Sequence, residues 1–195
     1  MFFPTRPDGR QIDNFLAELN RSALSYGPAG LSSLSAPAGF TVDTQRVPVG
    51  RGRAAFDVAA KALMSWRMFP DWTEVHPRNA TAREGLVVGV LARHLGFWSL
   101  NGCRVVQCVE EADRKGFAYG TLQDHAERGE ERFLVELDAR TGVVWYEIRA
   151  ASRPRAVLAW LGYPLSRWLQ ARFRVDSAAS LARAVTDPTA PGPAR

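Results

Sequence analysis

Apolar residues recur along this chain with two different periods, and the changes of period mark its elements. Ile12, Phe15, Leu16 and Leu19 follow the i, i+3, i+4, i+7 spacing of an amphipathic helix, predicted over 8–20. The Gly, Ser, Ala and Pro run "SYGPAGLSSLSAPAG" reads as an irregular surface connector. "FTVDTQRVP" then alternates Phe40, Val42 and Thr44 on one side, the mark of an opening strand. Phe56, Ala59, Ala60, Leu63 and Met64 form a second helical stripe, predicted over 53–67 and closed by Pro70. Six strand candidates come next, at about 71–76, 85–93, 103–110, 116–122, 131–138 and 142–151. "GLVVGVLA" is apolar on both faces, which predicts a central strand with a large element covering one side. Leu158, Leu161, Leu165, Trp168, Leu169 and Phe173 return to helical spacing, and Leu181 and Val185 extend the stripe. This predicts a C-terminal helix over 154–185, kinked at Gly162 and Pro164, that covers the sheet. The tail 186–195 is expected to be disordered.

Strand, helix, six strands and a long helix define an α+β domain over 1–185. A curved antiparallel sheet of about seven strands grips the final helix, after a short N-terminal helix. That order resembles the helix-grip plan of START-like domains, in which sheet and helix leave a cavity between them.

Composition narrows the partners. The 195 residues are 46% hydrophobic and 23% charged, ordinary values for one globular domain. No apolar run approaches the roughly 20 residues of a membrane span, and "MFFPTRPDGRQ" lacks the pattern of a signal peptide. The expectation is a cytoplasmic protein. Net charge is +5, and Lys61 and Lys115 are the only lysines among 25 basic residues, leaving 23 arginines. These are scattered from Arg6 to Arg195, with no basic block and no helix-turn-helix or zinc-finger spacing, so nucleic acid is a minor alternative. Cys103 and Cys108, five apart on one predicted strand, are expected on opposite faces about 16 Å apart, too far to bridge and poorly spaced for a metal.

Several stretches together resemble uncharacterised protein family 0548, a domain of unknown function. They are "LSYGPAG", "PAGF", "VGRGRAAFDVAAKALMSWRMFPDW", "ARHLGFWSLNGCRVV", "GFAYGTLQDHAERGEERFLVE" and "VWYEIRAASRP". Gly102 and Gln107 depart from the family, which favours Pro and an aromatic there. The resemblance implies the START-like fold and transfers no activity.

Candidate chemistry falls in three places. His125 sits with Asp124, Glu127, Arg128 and Glu130 in a predicted polar loop of about eight residues. It could serve as a general base, although charge at a hairpin tip mostly keeps the loop wet. His76 and His94 lie far off in sequence, and no metal-ligand spacing emerges. In "VVWYEIRA", Val143, Trp145, Glu147 and Arg149 share one strand face, and Val144, Tyr146, Ile148 and Ala150 share the other. If the first face looks inward, Glu147 and Arg149 form a paired polar anchor above an apolar floor; if the second does, they are solvated. Tyr119, which shares a face with Phe117 and Thr121, could add a hydroxyl, and Trp98 with Asn101 could gate the cavity mouth or form a packed turn. Trp66, Trp72, Trp160 and Trp168 read as core or interface aromatics. The candidate ligand-binding set is therefore Glu147, Arg149, Tyr119, Trp145 and Trp98, with His125 beside it. No catalytic residue is assigned, and no metal or cofactor is called for.

The leading functional reading is binding of a small, largely apolar or amphipathic molecule, such as a lipid, with one polar end in the cavity. An enzyme on the same scaffold using Glu147, Tyr119 or His125 as acid or base comes second. An Arg-rich surface that contacts a protein, membrane or nucleic acid comes third.

Overall fold

The structure is a computed structural model that describes residues 1–35, 37–123, 125, 127–154 and 163–187. Its elements in chain order are β1 (Phe2–Phe3), α1 (Gly9–Leu19), a 3-10 turn (Leu31–Ser33), β2 (Thr41–Arg51), α2 (Gly52–Met64), β3 (Thr73–His76), β4 (Val87–His94), β5 (Phe97–Glu110), β6 (Arg114–Thr121), β7 (Glu127–Leu137), β8 (Val143–Pro154) and α3 (Tyr163–Thr186). The strands form one antiparallel sheet in the order β2-β8-β7-β6-β5-β4-β3, and β1 pairs with β5 off this path. β3 to β8 therefore run as a meander, while β2 crosses the sheet to pair with the last strand. The α+β helix-grip fold expected from the element order holds.

Each helix forms for a local reason and covers a defined face. The carboxylate of Asp8 accepts from the Gln11 amide at 2.8 Å and the Gln11 side chain accepts from the Asp8 amide at 2.9 Å, a capping box that starts α1. Ile12, Phe15 and Leu19 then pack on Val87, Leu91 and Leu100, the outer face of the sheet. The helix comes this close because Gly89 and Gly102 lie opposite each other in the ladder beneath it. A Cβ at Gly102 would stand 2.2 Å from Leu19 Cδ1, so the glycine that departs from the family pattern makes room for α1. On the other side Gly52, at φ 79°, turns the chain from β2 directly into α2.

The inner core is built by both later helices. α2 contributes Phe56, Ala59, Ala62 and Leu63, and these meet Val105, Phe117, Phe133, Val135, Tyr146 and Ile148 of the sheet. α3 adds Leu181 and Ala184 to the same cluster, and Ser177 shares a hydrogen bond with the Tyr146 hydroxyl at 2.9 Å. The cover that the pattern assigned to the C-terminal helix alone is thus shared with α2. Trp168, placed by the pattern on the buried stripe, is 52% exposed, and the Arg172 guanidinium lies over its ring at 5.7 Å. Leu158, Leu161, the expected kink at Gly162 and the tail from 188 onward lie outside the described residues. No helix among the described residues is long and apolar enough to cross a membrane.

Three further expectations are corrected. β5 begins at Phe97, because Leu95 (φ 50°) and Gly96 (φ 85°) make a two-residue hairpin turn, so Trp98 and Asn101 stand in a strand. β7 begins at Glu127, which leaves His125 in a much shorter connection. A bulge between Val105 and Gln107 shifts the register so that Cys103 faces Thr121 and Cys108 faces Phe117. The two thiols therefore share the inner face, packed against one core and both unbridged.

This packing separates the two ends of α3. Leu181→Ala should cost about 2–5 kcal/mol in chemical denaturation, because Leu181 is fully buried (0% exposed). Trp168→Ala should cost less than about 1 kcal/mol. Equal losses would mean that the helix is turned the other way.

Candidate functional site

The inner face of the sheet extends beyond the reach of the packed core. Over that extension lies a cavity of about 530 Å³, walled by Phe69, Trp72, Val90, Phe97, Leu169 and Phe173. Small residues on the sheet side, Gly129, Ala150 and Ser152, leave the space unfilled. On the helix side, α3 reaches the sheet here through polar side chains. Glu127 accepts from the Ser166 hydroxyl and from Gln170 Nε2 at 2.6 Å, and Arg167 clamps Asp43 with both terminal nitrogens, Nη2 at 2.7 Å. These polar contacts tie the first turns of α3 to β2 and β7 beside the cavity.

One row of the ladder crosses the cavity wall. Tyr119 of β6 pairs with Glu131 of β7, Glu131 with Ala150 of β8, and Ala150 with Asp43 of β2. The Tyr119 hydroxyl donates to Glu131 Oε2 at 2.8 Å, and no other hydrogen bond to that carboxylate is found among the described residues. Burial pushes the Glu131 carboxyl up to about 7. The Tyr119 hydrogen bond and Arg174 act against the rise, while Glu127 and Asp43 add to it. Burial also raises the Tyr119 hydroxyl well above its ordinary value, so the exchangeable proton of the pair belongs to the carboxyl.

Glu130, one residue earlier, points the opposite way. Its carboxylate accepts from the Tyr26 hydroxyl at 2.8 Å, the Gly30 amide at 2.8 Å, the Ser32 amide at 3.0 Å and the Ser32 hydroxyl. It pins the connector around the 3-10 turn to the outer face, whereas its neighbour opens on the cavity.

Of the residues singled out in the sequence, Tyr119 and His125 line the cavity, and Glu147, Arg149, Trp145 and Trp98 do not. His125 Nδ1 accepts the Glu127 amide at 3.0 Å. Asp124 lies outside the described residues. Glu147 and Arg149 stand on the outer face, since β8 turns Val144, Tyr146 and Ile148 into the core. They do not pair with each other. Glu147 binds Arg132 at 2.7 Å, and Arg149 donates to the Ser32, Leu34 and Ser35 carbonyls at 3.0, 2.6 and 3.0 Å. The anchor drawn on that face is thereby corrected: both groups serve the outer face. Trp145 faces outward beneath Arg46, and Trp98 lies on the α1 side with the Arg6 and Arg93 guanidiniums each 6.0 Å from its ring. Asn101, His94 and Trp72 do reach the cavity, while Trp66 is in the core, His76 pairs with Glu74 and Trp160 lies outside the described residues.

Glu131 was not singled out, Glu127 was named only as a neighbour of His125 in the predicted loop, and Gln170 and Arg174 were not singled out. A signal for the first two existed: the alternation of Phe133 and Val135, carried back two residues at a time, puts Glu131, Gly129 and Glu127 on the inner face. Among the described residues no group of three His, Cys, Asp or Glu side chains is placed to hold a metal ion.

Comparison with known proteins agrees with the sheet and helix order. The family described as "Domain of unknown function (DUF1990)" matches residues 25–180. A UPF0548 protein of Deinococcus radiodurans is 37% identical over 196 residues, covering 94% of this chain and 98% of the relative. A UPF0548 protein of Dictyostelium discoideum is 36% identical over 159 residues, 75% of this chain and 73% of its own length. Among solved structures, a START superfamily protein from Mycobacterium smegmatis superposes with a TM-score of 0.52 at 13% identity, over 77% of this chain and all (100%) of the other. That likeness is one of fold.

Two outcomes follow from the contrast between the adjacent carboxylates. Glu131 titrates higher in the folded chain, about 7, than its ordinary 4.5, so the folded state binds more protons between these values and stability falls as pH rises through them. Glu131→Gln removes that penalty: urea unfolding should find it matched to the wild type at pH 5 and more stable, by on the order of 1–3 kcal/mol, at pH 8. A difference that stays constant with pH would place the raised group elsewhere. Glu130→Ala strands the Gly30 and Ser32 amides and should cost at least about 2 kcal/mol with faster amide exchange at both, whereas Glu147→Gln should stay within about 1 kcal/mol.

Proposed function

The chain belongs to the DUF1990 family, and we propose that it binds a small, largely apolar molecule whose polar end lies against Tyr119 and Glu131. The observation that carries this reading is the cavity itself: about 530 Å³ of space, inside the roughly 300–1,000 Å³ range of small-molecule sites, with mostly apolar walls. Protein interiors otherwise pack as densely as organic crystals, so a void of this size at the end of a well-packed core is a feature that the fold maintains. Phe69, Trp72, Val90, Phe97, Leu169 and Phe173 would contact the body of the ligand. The Tyr119–Glu131 pair orients its polar end, because a buried carboxyl with one partner still has capacity for another hydrogen bond. In this reading residues 1–185 act as one binding domain.

One observation favours a second reading, acid/base catalysis on the same scaffold: Glu131 is poised near neutrality at the cavity wall, with Tyr119 beside it and the His125 ring on the same lining. Glu147 has no part in it, since it faces away from the cavity. Binding without turnover separates the two readings.

Decanol serves as the probe, an apolar chain with one neutral polar end. Isothermal titration should detect its binding to the full chain. Ala150→Phe, which fills the floor beside Glu131, should weaken it by about tenfold or more with an unchanged circular dichroism spectrum. Absence of decanol binding, or equal binding by the filled variant, would refute the cavity as the site.

A further inference from the structure

The charges around the cavity do not cancel. Three carboxylates on the inner face stand at or beside its wall: Glu127, Glu131 and, one register position beyond Ala150, Asp43, while the Glu130 carboxylate, also at the lining, is turned to the donors of the outer face. Two guanidiniums answer them from α3, and among the described residues both form their ion pairs with the same carboxylate. Arg167 forks onto Asp43, and Arg174 Nη2 stands 3.8 Å from Asp43 Oδ1. Glu127 is held by the neutral donors Ser166 and Gln170, and Glu131 by the Tyr119 hydroxyl. Among the described residues no cation forms an ion pair with either.

We propose that the polar end of the ligand is a cation, an alkyl amine or other protonated nitrogen, bound at the Glu131 carboxylate. This rests on the binding reading above and names its chemical class. An ammonium head donates up to three hydrogen bonds and would satisfy the free acceptor capacity of Glu131. The aromatic lining of Phe69, Phe97 and Phe173 suits the same sign, because ring faces attract cations and disfavour anions. Burial lowers the His94 pKa, which disfavours a competing positive charge on that ring. Arg174 lines the cavity and its charge lowers the Glu131 pKa without forming an ion pair with it, Glu127 and Asp43 oppose that effect, and the hydroxyls of Tyr119 and Tyr146 and the Cys103 thiol are kept protonated by burial.

The proposal carries a proton signature. Free Glu131 is largely protonated below about 7, and an amine that binds it as the carboxylate must displace that proton into solution. Binding should therefore release a proton and strengthen as pH rises from 6 to 8, while the amine itself stays protonated throughout.

The test titrates the full-length chain with decylamine, decanol and decanoate, three heads on one tail, by calorimetry at pH 6.5 in two buffers of different ionisation enthalpy. The expected result is decylamine at least about tenfold tighter than decanoate, with decanol between them and proton release only with the amine. Glu131→Gln, which keeps the hydrogen bond to Tyr119, should erase the advantage of the amine over decanol and change decanol affinity by less than about threefold. Decanoate binding as tightly as decylamine, or an amine preference that survives Glu131→Gln, overturns the proposal. If decanol binds and the amine gains nothing, the cation inference alone fails; if none of the three binds, the cavity reading fails with it.

Discussion

Three phenylalanines meet between the sheet and the helices, and the interior divides along their contact. Phe69 lies 5.3 Å from Phe173 and 6.2 Å from Phe133, and Phe133 lies 6.3 Å from Phe173, mostly edge to face. Below them the space is filled by Leu63, Val135, Tyr146 and Leu181. Above them Phe69 and Phe173 become walls of an open volume. The division depends on the sequence of α3, which is apolar at Phe173, Leu181 and Ala184 but presents Ser166, Arg167 and Gln170 one to two turns earlier. Rigid rings close the core at that level, and polar side chains border the open level beyond it.

The neighbouring carboxylates of β7 show how strand geometry assigns chemistry. Glu130 and Glu131 are the same residue type, one peptide apart, and alternation alone sends them to opposite faces. On the outer face four donors from residues 26–32 converge on Glu130, so its charge is solvated by the protein. On the inner face a single tyrosine meets Glu131, and burial raises its pKa. The first carboxylate holds structure together; the second stores an unmet electrostatic demand beside a hollow.

The strand and helix order was legible because period 2 and period 3.6 separate cleanly in this chain. What escaped was the content of the faces. "VVWYEIRA" carries an aromatic on each face, so alternation could not say which one is buried; the answer lies in partners distant in sequence, Arg132 for Glu147 and the carbonyls of residues 32–35 for Arg149. "ERGE" read as loop because it is polar on both faces, yet Glu127 and Glu130 each have tertiary partners that hold them in a strand. The bulge near Val106, which sets both cysteines on one face, leaves no mark in hydrophobic pattern at all. Of the expected site, Tyr119 and His125 could be placed by face or by loop, while α3's contribution depended on a helix rotation that a leucine-rich stripe did not determine.

The unequal attachment of α3 also sets how it responds to salt. Its C-terminal half is held by apolar burial, which water cannot replace, and its N-terminal half by the Asp43–Arg167 and Glu127–Gln170 contacts, which water and salt can. Added salt should therefore loosen the polar attachment of the first turns before it affects the buried contacts of Phe173 and Leu181.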